Sequence, residues 1–454
     1  MGFPEKRWAW PAQIAIMGGR SASWGAALLV CIASLILAPA VSQAQPAGFP
    51  PSSYTLDPRG VDLKSGAFTT AVEDIGVGAD GRLAMIRSFN SGFVTTIGPF
   101  GKGTSHNYDY QIAVGKDAAN KEVVIITQGF TSDVLEKSGP GRYVSRTDPG
   151  VFVEYADGSP STRRPARYVL RDGTELTFSN VISATLQWYR YWPCGATECG
   201  TLTTLRRPTG EVLTFTHGAP PYTFNPPPGS GYGPRLSRIV SNRGYALNLE
   251  YGCYSLGSCT NGLTLVVGVT IENVAIGPCA PTCNAFGEPT PIQAGKQVRY
   301  GYSAAGALTS VSIRTAENPT PTSEPIADYE YDASGRMTAV KSLGAPGTNL
   351  LAIAYAADGR VSSQTDGAGR IWTVDSNATR TVVTDALGGA RETSFGGAPR
   401  PAFVRDELNH QTSFTYDAFQ RVTKQTNPEG DAVAYTYDAP RNITQLRRIA
   451  KAST

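Results

Sequence analysis

A period near 21 residues constrains this chain more than any single motif. Residues 414–438 read FTYDAFQRVTKQTNPEGDAVAYTYD, with the pair Tyr416-Asp417 returning as Tyr437-Asp438. Turn-like starts fall at Asp366, Asp385, Asp406 and Asn427, separated by 19, 21 and 21 residues, with Gly369, Gly388 and Gly430 three positions after three of them. A Tyr stands ten residues after Asp406 and Asn427, and Phe395 takes that place after Asp385. An Arg follows the Tyr position by five residues in YDASGR (Tyr331, Asp332, Gly335, Arg336), YAADGR (Tyr355 to Arg360) and YDAFQR (Tyr416 to Arg421). The frame reaches back to RLSRIVSNRGYALNLEYG, where Ser241, Gly244 and Tyr251 hold the corresponding positions. A recurring register that carries its neighbours along is the mark of a repeated supersecondary unit.

Between turns the residues alternate, as in RVTKQT and AVAYTYD, which is the period-two pattern of half-buried strands rich in Val, Thr and Tyr. Asp or Asn at the first turn position and Gly at the fourth suit a tight turn, because the Asx side chain bonds nearby backbone and Gly tolerates positive φ. Each unit is therefore two short strands and two turns. One hairpin buries too little apolar surface to stand alone, so the units must stack into a continuous antiparallel sheet. The expected class is all-β, with stacked hairpins forming a spiralling sheet. Turn and packing chemistry accounts for the repeated Tyr, Asp, Gly and Arg; sugar binding or catalysis is the competing reading.

The motif D-x-x-G followed by Y-D-x-x-G-R at this period resembles the YD repeat of the Rhs family. VDLKSGAF (Val61 to Phe68) and GRLAMIRSFNSG (Gly81 to Gly92) are similar to the stretches that open Rhs cores, with Phe89 where Tyr is usual. The resemblance runs from about residue 57 to the last residue. It implies a partial Rhs-type cocoon, a non-enzymatic shell that encloses or delivers a C-terminal toxin, with that toxin segment or further repeats encoded downstream. The family's self-processing motif of DPxGL type is not carried over: DPRG (Asp57 to Gly60) has the letters but stands at the opposite end.

The remaining composition fits export. Lys6, Arg7 and Arg20 precede the apolar run Gly25 to Val41 and the small-residue stretch SQA, which together describe a secretory signal over residues 1–44 cleaved after Ala44. The run is short for a membrane span, so any membrane association is expected only through a retained anchor. Six cysteines follow in three close pairs, Cys194 and Cys199, Cys253 and Cys259, Cys279 and Cys283. An even count in an exported chain points to disulfides, and local pairing is one of fifteen possible connectivities. Zinc is the rival, but the spacings share no C-x-x-C theme. A formal net charge of +3 is too small to argue for nucleic acid, and no Lys/Arg run of the required length occurs, so no nucleic-acid partner is expected. The 49 glycines and 32 prolines of 454 residues fit turn-dense β structure.

Four regions follow from the pattern: the signal (1–44), an opening segment (45–95), an irregular β region (96–234) ending in the Pro/Gly-rich loop Gly218 to Pro234, and the repeats (235–454). Insertions at Cys253 to Gly287 and Glu317 to Pro325 lengthen individual repeats. His106, His217 and His410 sit in unrelated sequence contexts, no nucleophile or metal-protease motif occurs, and D-x-x-G lacks the dense ligands of a calcium loop. No cofactor, metal or catalytic residue is expected. A carbohydrate- or cell-surface-binding module, with glycan as partner, is the alternative function.

Overall fold

The computed structural model describes residues 55–78, 83–155, 165–179, 182–183, 198–218, 235–253, 264–274, 296–315, 322–343, 347–396, 399–438 and 442–451. The chain divides into Met1–Pro51 and Ser52–Thr454, and every described residue lies in the second unit. The signal therefore lies outside the described residues, as do Cys194, Cys259, Cys279 and Cys283. Of Cys199 and Cys253 only the backbone is described, in the strands Glu198–Arg206 and Tyr245–Cys253.

The described residues are almost entirely β-strand, as the alternation predicts, with one three-residue 3-10 turn at Ser91–Phe93. The opening residues build a small sheet of Thr69–Val77, Leu83–Asn90 and Thr104–His106. A second ladder begins at Tyr110–Lys116 and runs antiparallel, neighbour to neighbour, through Glu122–Gln128, Thr131–Gly139, Arg142–Ser145, Phe152–Tyr155, Ala166–Val169 and Glu175–Phe178 to Glu198–Arg206. There the ladder divides. The first half of Glu198–Arg206 returns to Tyr110–Lys116 (Glu198 opposite Val114, Thr201 opposite Gln111), which closes the hydrogen bonding on itself. The second half pairs with Val212–Gly218 and hands the sheet on.

From Val212–Gly218 every described strand pairs antiparallel with the next, as far as Ile443–Ile449. The stretch Cys253 to Gly287, expected as an insertion, itself supplies the strand Thr264–Asn273, which pairs along Tyr245–Cys253. Its apolar, β-branched residues, TLVVGVTIEN, are the reason. The core is one cluster from Val61 to Val374, and a separate small one of Phe414, Val422 and Tyr435.

Candidate functional site

One five-residue turn builds the repeats. The first residue's N–H donates to the carbonyl of the fifth, and the fourth residue's N–H donates back to the first carbonyl; the turns at Asp332, Ala356, Asp366, Asp385, Asp406, Asp417 and Asn427 all do this. The aspartate adds side-chain bonds. Asp417 Oδ1 accepts from the N–H groups of Phe419 and Arg421 at 2.9 Å, and Oδ2 accepts from Arg421 Nε. Asp332 and Asp366 hold Arg336 and Arg370 in the same way. The fourth residue takes positive φ, +91° at Gly430, while Asn409 and Gln420 adopt it without being glycine. Burial works against the charge of Asp417, but the Arg421 N–H and guanidinium outweigh it and hold the carboxyl below its usual range. In Asp406 the His410 N–H is the largest cause of the same lowering.

The repeated Tyr reaches back one hairpin. Tyr437 Oη donates to the carbonyl of Val422 at 2.7 Å, Tyr416 to Pro401 at 2.7 Å, Tyr355 to Met337 at 2.8 Å and Tyr251 to Leu236 at 2.8 Å. Tyr331 instead meets Phe89 edge-on, ring centroids 5.9 Å apart. Each Tyr sits where the pairing shifts register by one residue, as between Thr436 and Tyr437. The recurring Arg completes the unit: Arg421 lies 4.5 Å over the Tyr437 ring and Arg336 lies 4.7 Å over Tyr355. Thus Tyr, Asp, the positive-φ residue and Arg of one turn bind that turn to its successor. The same backbone turn also occurs outside the recognised repeats, at Asp57, Asp117, Leu170, Arg207 and Ser303. Leu170 and Arg207 carry no Asx side chain at the first position, and there the turn pairs Asp172-Gly173 and Thr209-Gly210 between β-prone runs are what mark the hairpins in the sequence.

The opening segment is fastened to the repeats, which no local motif foretells. Gly66 takes φ +72° and passes so close to Arg360 that a Cβ there would lie 2.7 Å from its Cγ; the Gly66 carbonyl accepts from Val361 N–H at 2.8 Å. Lys64 Nζ donates to the Ala378 carbonyl at 2.8 Å, Thr381 Oγ1 donates to the Leu63 carbonyl, and Arg59 stacks 3.5 Å over Trp372. Desolvation lowers the proton affinity of Arg59, and desolvation raises that of Asp57. Deeper in, Arg87 is 2% exposed and donates from Nε and Nη2 to Asp74 at 2.9 Å each, while Tyr300 Oη donates to Asp74 and Arg87 Nη2 donates to Tyr329 Oη, both at 3.0 Å. Desolvation alone would lower the Arg87 value, but the Asp74 carboxylate raises it well above the ordinary one. One buried ion pair therefore joins Thr69–Val77 and Leu83–Asn90 to repeat strands more than 200 residues away.

The histidines are not as separate as their sequence contexts suggest. His217 is pushed down to about 4 by burial, with His106 adding to the effect, and burial likewise lowers His106. No strand pairing among the described residues joins the two; instead Tyr108, two residues past His106, packs on Phe215, two residues before His217, with ring centroids 5.5 Å apart. His410 stays in its repeat turn, with Nδ1 3.3 Å from Asp406. Among the described residues no three His, Cys, Asp or Glu side chains gather as a metal site, and no helix is long and apolar enough to cross a membrane.

Residues 59–129 match a family described as a domain of unknown function, DUF6531, and residues 416–450 match the RHS repeat. Among solved structures the chain is similar to TcdB2-TccC3, at 11% identity and a TM-score of 0.41 over 88% of this chain and 30% of that one. It is also similar to the Photorhabdus luminescens Tc holotoxin pore with a TccC3 mutation, at 12% identity and a TM-score of 0.25 over 85% of this chain and 23% of that one. A third likeness is to the N-terminal domain of effector protein SpvB from Salmonella typhimurium strain LT2, at 14% identity and a TM-score of 0.22, over 71% of this chain and 99% of that domain. The chain spans 30% of the length of the first of these.

Proposed function

Since this chain is an RHS/YD-repeat protein, we propose that it works as a non-enzymatic scaffold: an exported wall of stacked hairpins that encloses or delivers a polypeptide cargo of the toxin class. The observation that carries this reading is the occupancy of the recurring side chains. Tyr437 and Tyr416 spend their hydroxyls on backbone carbonyls, and Asp417 spends both carboxylate oxygens on its own turn. A reaction centre needs a constellation that occurs once, whereas these residues repeat with the same partners. Export rests on the basic, apolar and small-residue succession of positions 1–44, and the oxidised state of the six mature cysteines rests on their compartment and even count.

Protease protection tests the scaffold. The chain is produced together with the polypeptide encoded beside it, and digestion of that polypeptide is timed against the same polypeptide made alone. Enclosure slows its digestion until denaturant opens the wall. Equal rates with and without the chain, or retention of the chain on cell-wall material that soluble glycan reverses, would replace the shell reading with the binding-module one. N-terminal sequencing checks cleavage after Ala44, and alkylation without reduction should label no mature cysteine.

A further inference from the structure

One exposed turn of the repeats uses half of its asparagine. Between Ile371–Ser376 and Arg380–Thr384 the chain reverses through Asn377, Ala378 and Thr379, all three exposed. Asn377 Oδ1 accepts three bonds, from the N–H groups of Thr379 and Arg380 at 2.9 Å and from Thr379 Oγ1 at 3.0 Å. Backbone N–H groups only donate, so the atom they meet is the carboxamide oxygen and not its nitrogen. Nδ2 makes no hydrogen bond among the described residues. The backbone here is tied down from the side, since Lys64 Nζ donates to the Ala378 carbonyl at 2.8 Å and Arg360 Nη1 donates to the Asn377 carbonyl at 3.3 Å. The turn is fixed, its oxygen is occupied and its amide nitrogen is unspent.

The three residues read Asn-Ala-Thr. Asn-x-Ser/Thr with x other than Pro is the acceptor sequence for N-linked glycan in exported chains, and it serves where it lies on a surface loop. The hydroxyl such a sequence requires is the one that bonds Oδ1 here. Three donors on one oxygen draw electron density out of the carboxamide, which makes the Nδ2 protons easier to remove. We propose that Asn377 is an N-glycan acceptor, modified from an oligosaccharide carried on a polyprenyl diphosphate by a membrane-bound oligosaccharyltransferase; its occurrence in the cell rests on the export proposed above. In the transfer Nδ2 attacks the anomeric carbon, a C–N bond forms, the bond from that carbon to the diphosphate oxygen breaks, the polyprenyl diphosphate leaves with the electron pair, and one Nδ2 proton passes to a base of the transferase. The chain supplies its own contrast. Asn442-Ile443-Thr444 has the same pattern, but Asn442 Nδ2 already donates to Asp438 Oδ2 at 2.9 Å, so it is the poorer acceptor. Asn318-Pro319-Thr320 is excluded by its proline.

The test has two arms. In one, the full chain is exported from a host whose membrane carries an oligosaccharyltransferase; in the other, the purified folded chain is incubated with those membranes and a polyprenyl-diphosphate oligosaccharide. Peptide mass spectrometry reads the occupancy of Asn377 and Asn442. A failure of export shows as an uncleaved Ala44 in the first arm, and the second arm tests the site independently of it. Wild type should carry glycan on Asn377 at higher occupancy than on Asn442. Asn377→Asp keeps the acceptor oxygen and the turn but has no amide nitrogen, so it should melt like wild type and carry no glycan there. Thr379→Ala should lower occupancy at Asn377 by about tenfold, Thr379→Ser should retain it, and Asn442→Gln should leave it unchanged. Bare Asn377 in both arms, occupancy at Asn442 equal to that at Asn377, or Thr379→Ala modified as fully as wild type would each overturn the proposal.

Discussion

Between Asp74 and Tyr331 the chain buries large side chains completely, Phe89, Phe100, Tyr143 and Phe178 among them, and an ion pair besides. Beyond Ile371 the sheet has the same pairing but a different economy: Leu387 is 97% exposed, Leu408 is 76% exposed, and the separate cluster reduces to Phe414, Val422 and Tyr435. The regular half is thus the less buried half. Where burial is thin, the turn carboxylate, the Tyr hydroxyl and the stacked Arg hold one hairpin to the next, each a modest interaction but renewed every 21 residues or so. Where burial is deep, the turns at Leu170, Arg207 and Ser303 keep the backbone bonds without an Asx side chain, while Asp117 and Tyr251 still make the contacts of the regular repeats.

The largest effect that could break this contrast is expected at Arg87. Arg87→Met leaves the Asp74 carboxylate buried without its cation and should cost about 3–5 kcal/mol, read from the urea midpoint. A loss below about 1 kcal/mol would mean that burial does not fasten the opening half there.

Acid should separate the halves next. Unfolded imidazoles titrate near 6.5, and folded His217 has its value lowered to about 4, so between those limits the unfolded state binds the proton and the folded state does not. Stability of the early half therefore falls as pH falls through that window, by up to about 1.4 kcal/mol per pH unit for His217; near His106, Asp109 pulls the other way. The turn aspartates behave differently. Their folded values are lowered, so their contribution is present above the unfolded carboxyl value of about 3.9 and is lost only as pH drops below it. Hydrogen exchange resolved by segment between pH 7 and 4 should show protection lost first around residues 104–128 and 212–218, and His217→Phe should flatten that dependence. Simultaneous loss in the repeats would contradict it.

Two glycines sharpen the comparison at smaller scale. Gly430→Val meets only the Lys451 side chain, at 3.4 Å, and should cost about 1–3 kcal/mol from its positive φ alone. Gly66→Val has the same backbone penalty and collides with Arg360 as well, so it should cost more and should expose residues 361–384 to protease. Smaller still, Tyr437→Phe removes one hydroxyl-to-carbonyl bond and should cost about 0.5–1.5 kcal/mol in thermal or urea unfolding.

The division also explains what could be read from the sequence. Alternation and the D-x-x-G spacing revealed the strand class, the turns at Asp366, Asp385, Asp406 and Asn427, and the turn and packing positions of Tyr416, Asp417 and Arg421, since each is set by neighbours within a few positions. The docking of Gly66 on Arg360, the reach of Tyr300 and Tyr329 to the Asp74–Arg87 pair and the proximity of His106 to His217 were not legible, because those partners are separated by more than 100 residues of chain and no local spacing encodes them. The strand Thr264–Asn273 is legible in its own β-branched residues, although the cysteines on either side of it give the stretch the look of an insertion.

The smallest predicted effect bears most directly on the central claim that the repeats carry structure and not chemistry. Asp406 accepts the N–H groups of Leu408 at 3.0 Å and His410 at 2.8 Å through one oxygen. Asn supplies the same acceptor and already starts the next repeat as Asn427. For Asp406→Asn, thermal melting and secretion yield are measured beside whatever binding or hydrolytic activity the wild type has. The scaffold account predicts a change in stability within about 0.5 kcal/mol and an unaltered activity; an activity abolished with the melt unchanged would contradict it and give the Asp406 carboxylate a chemical role.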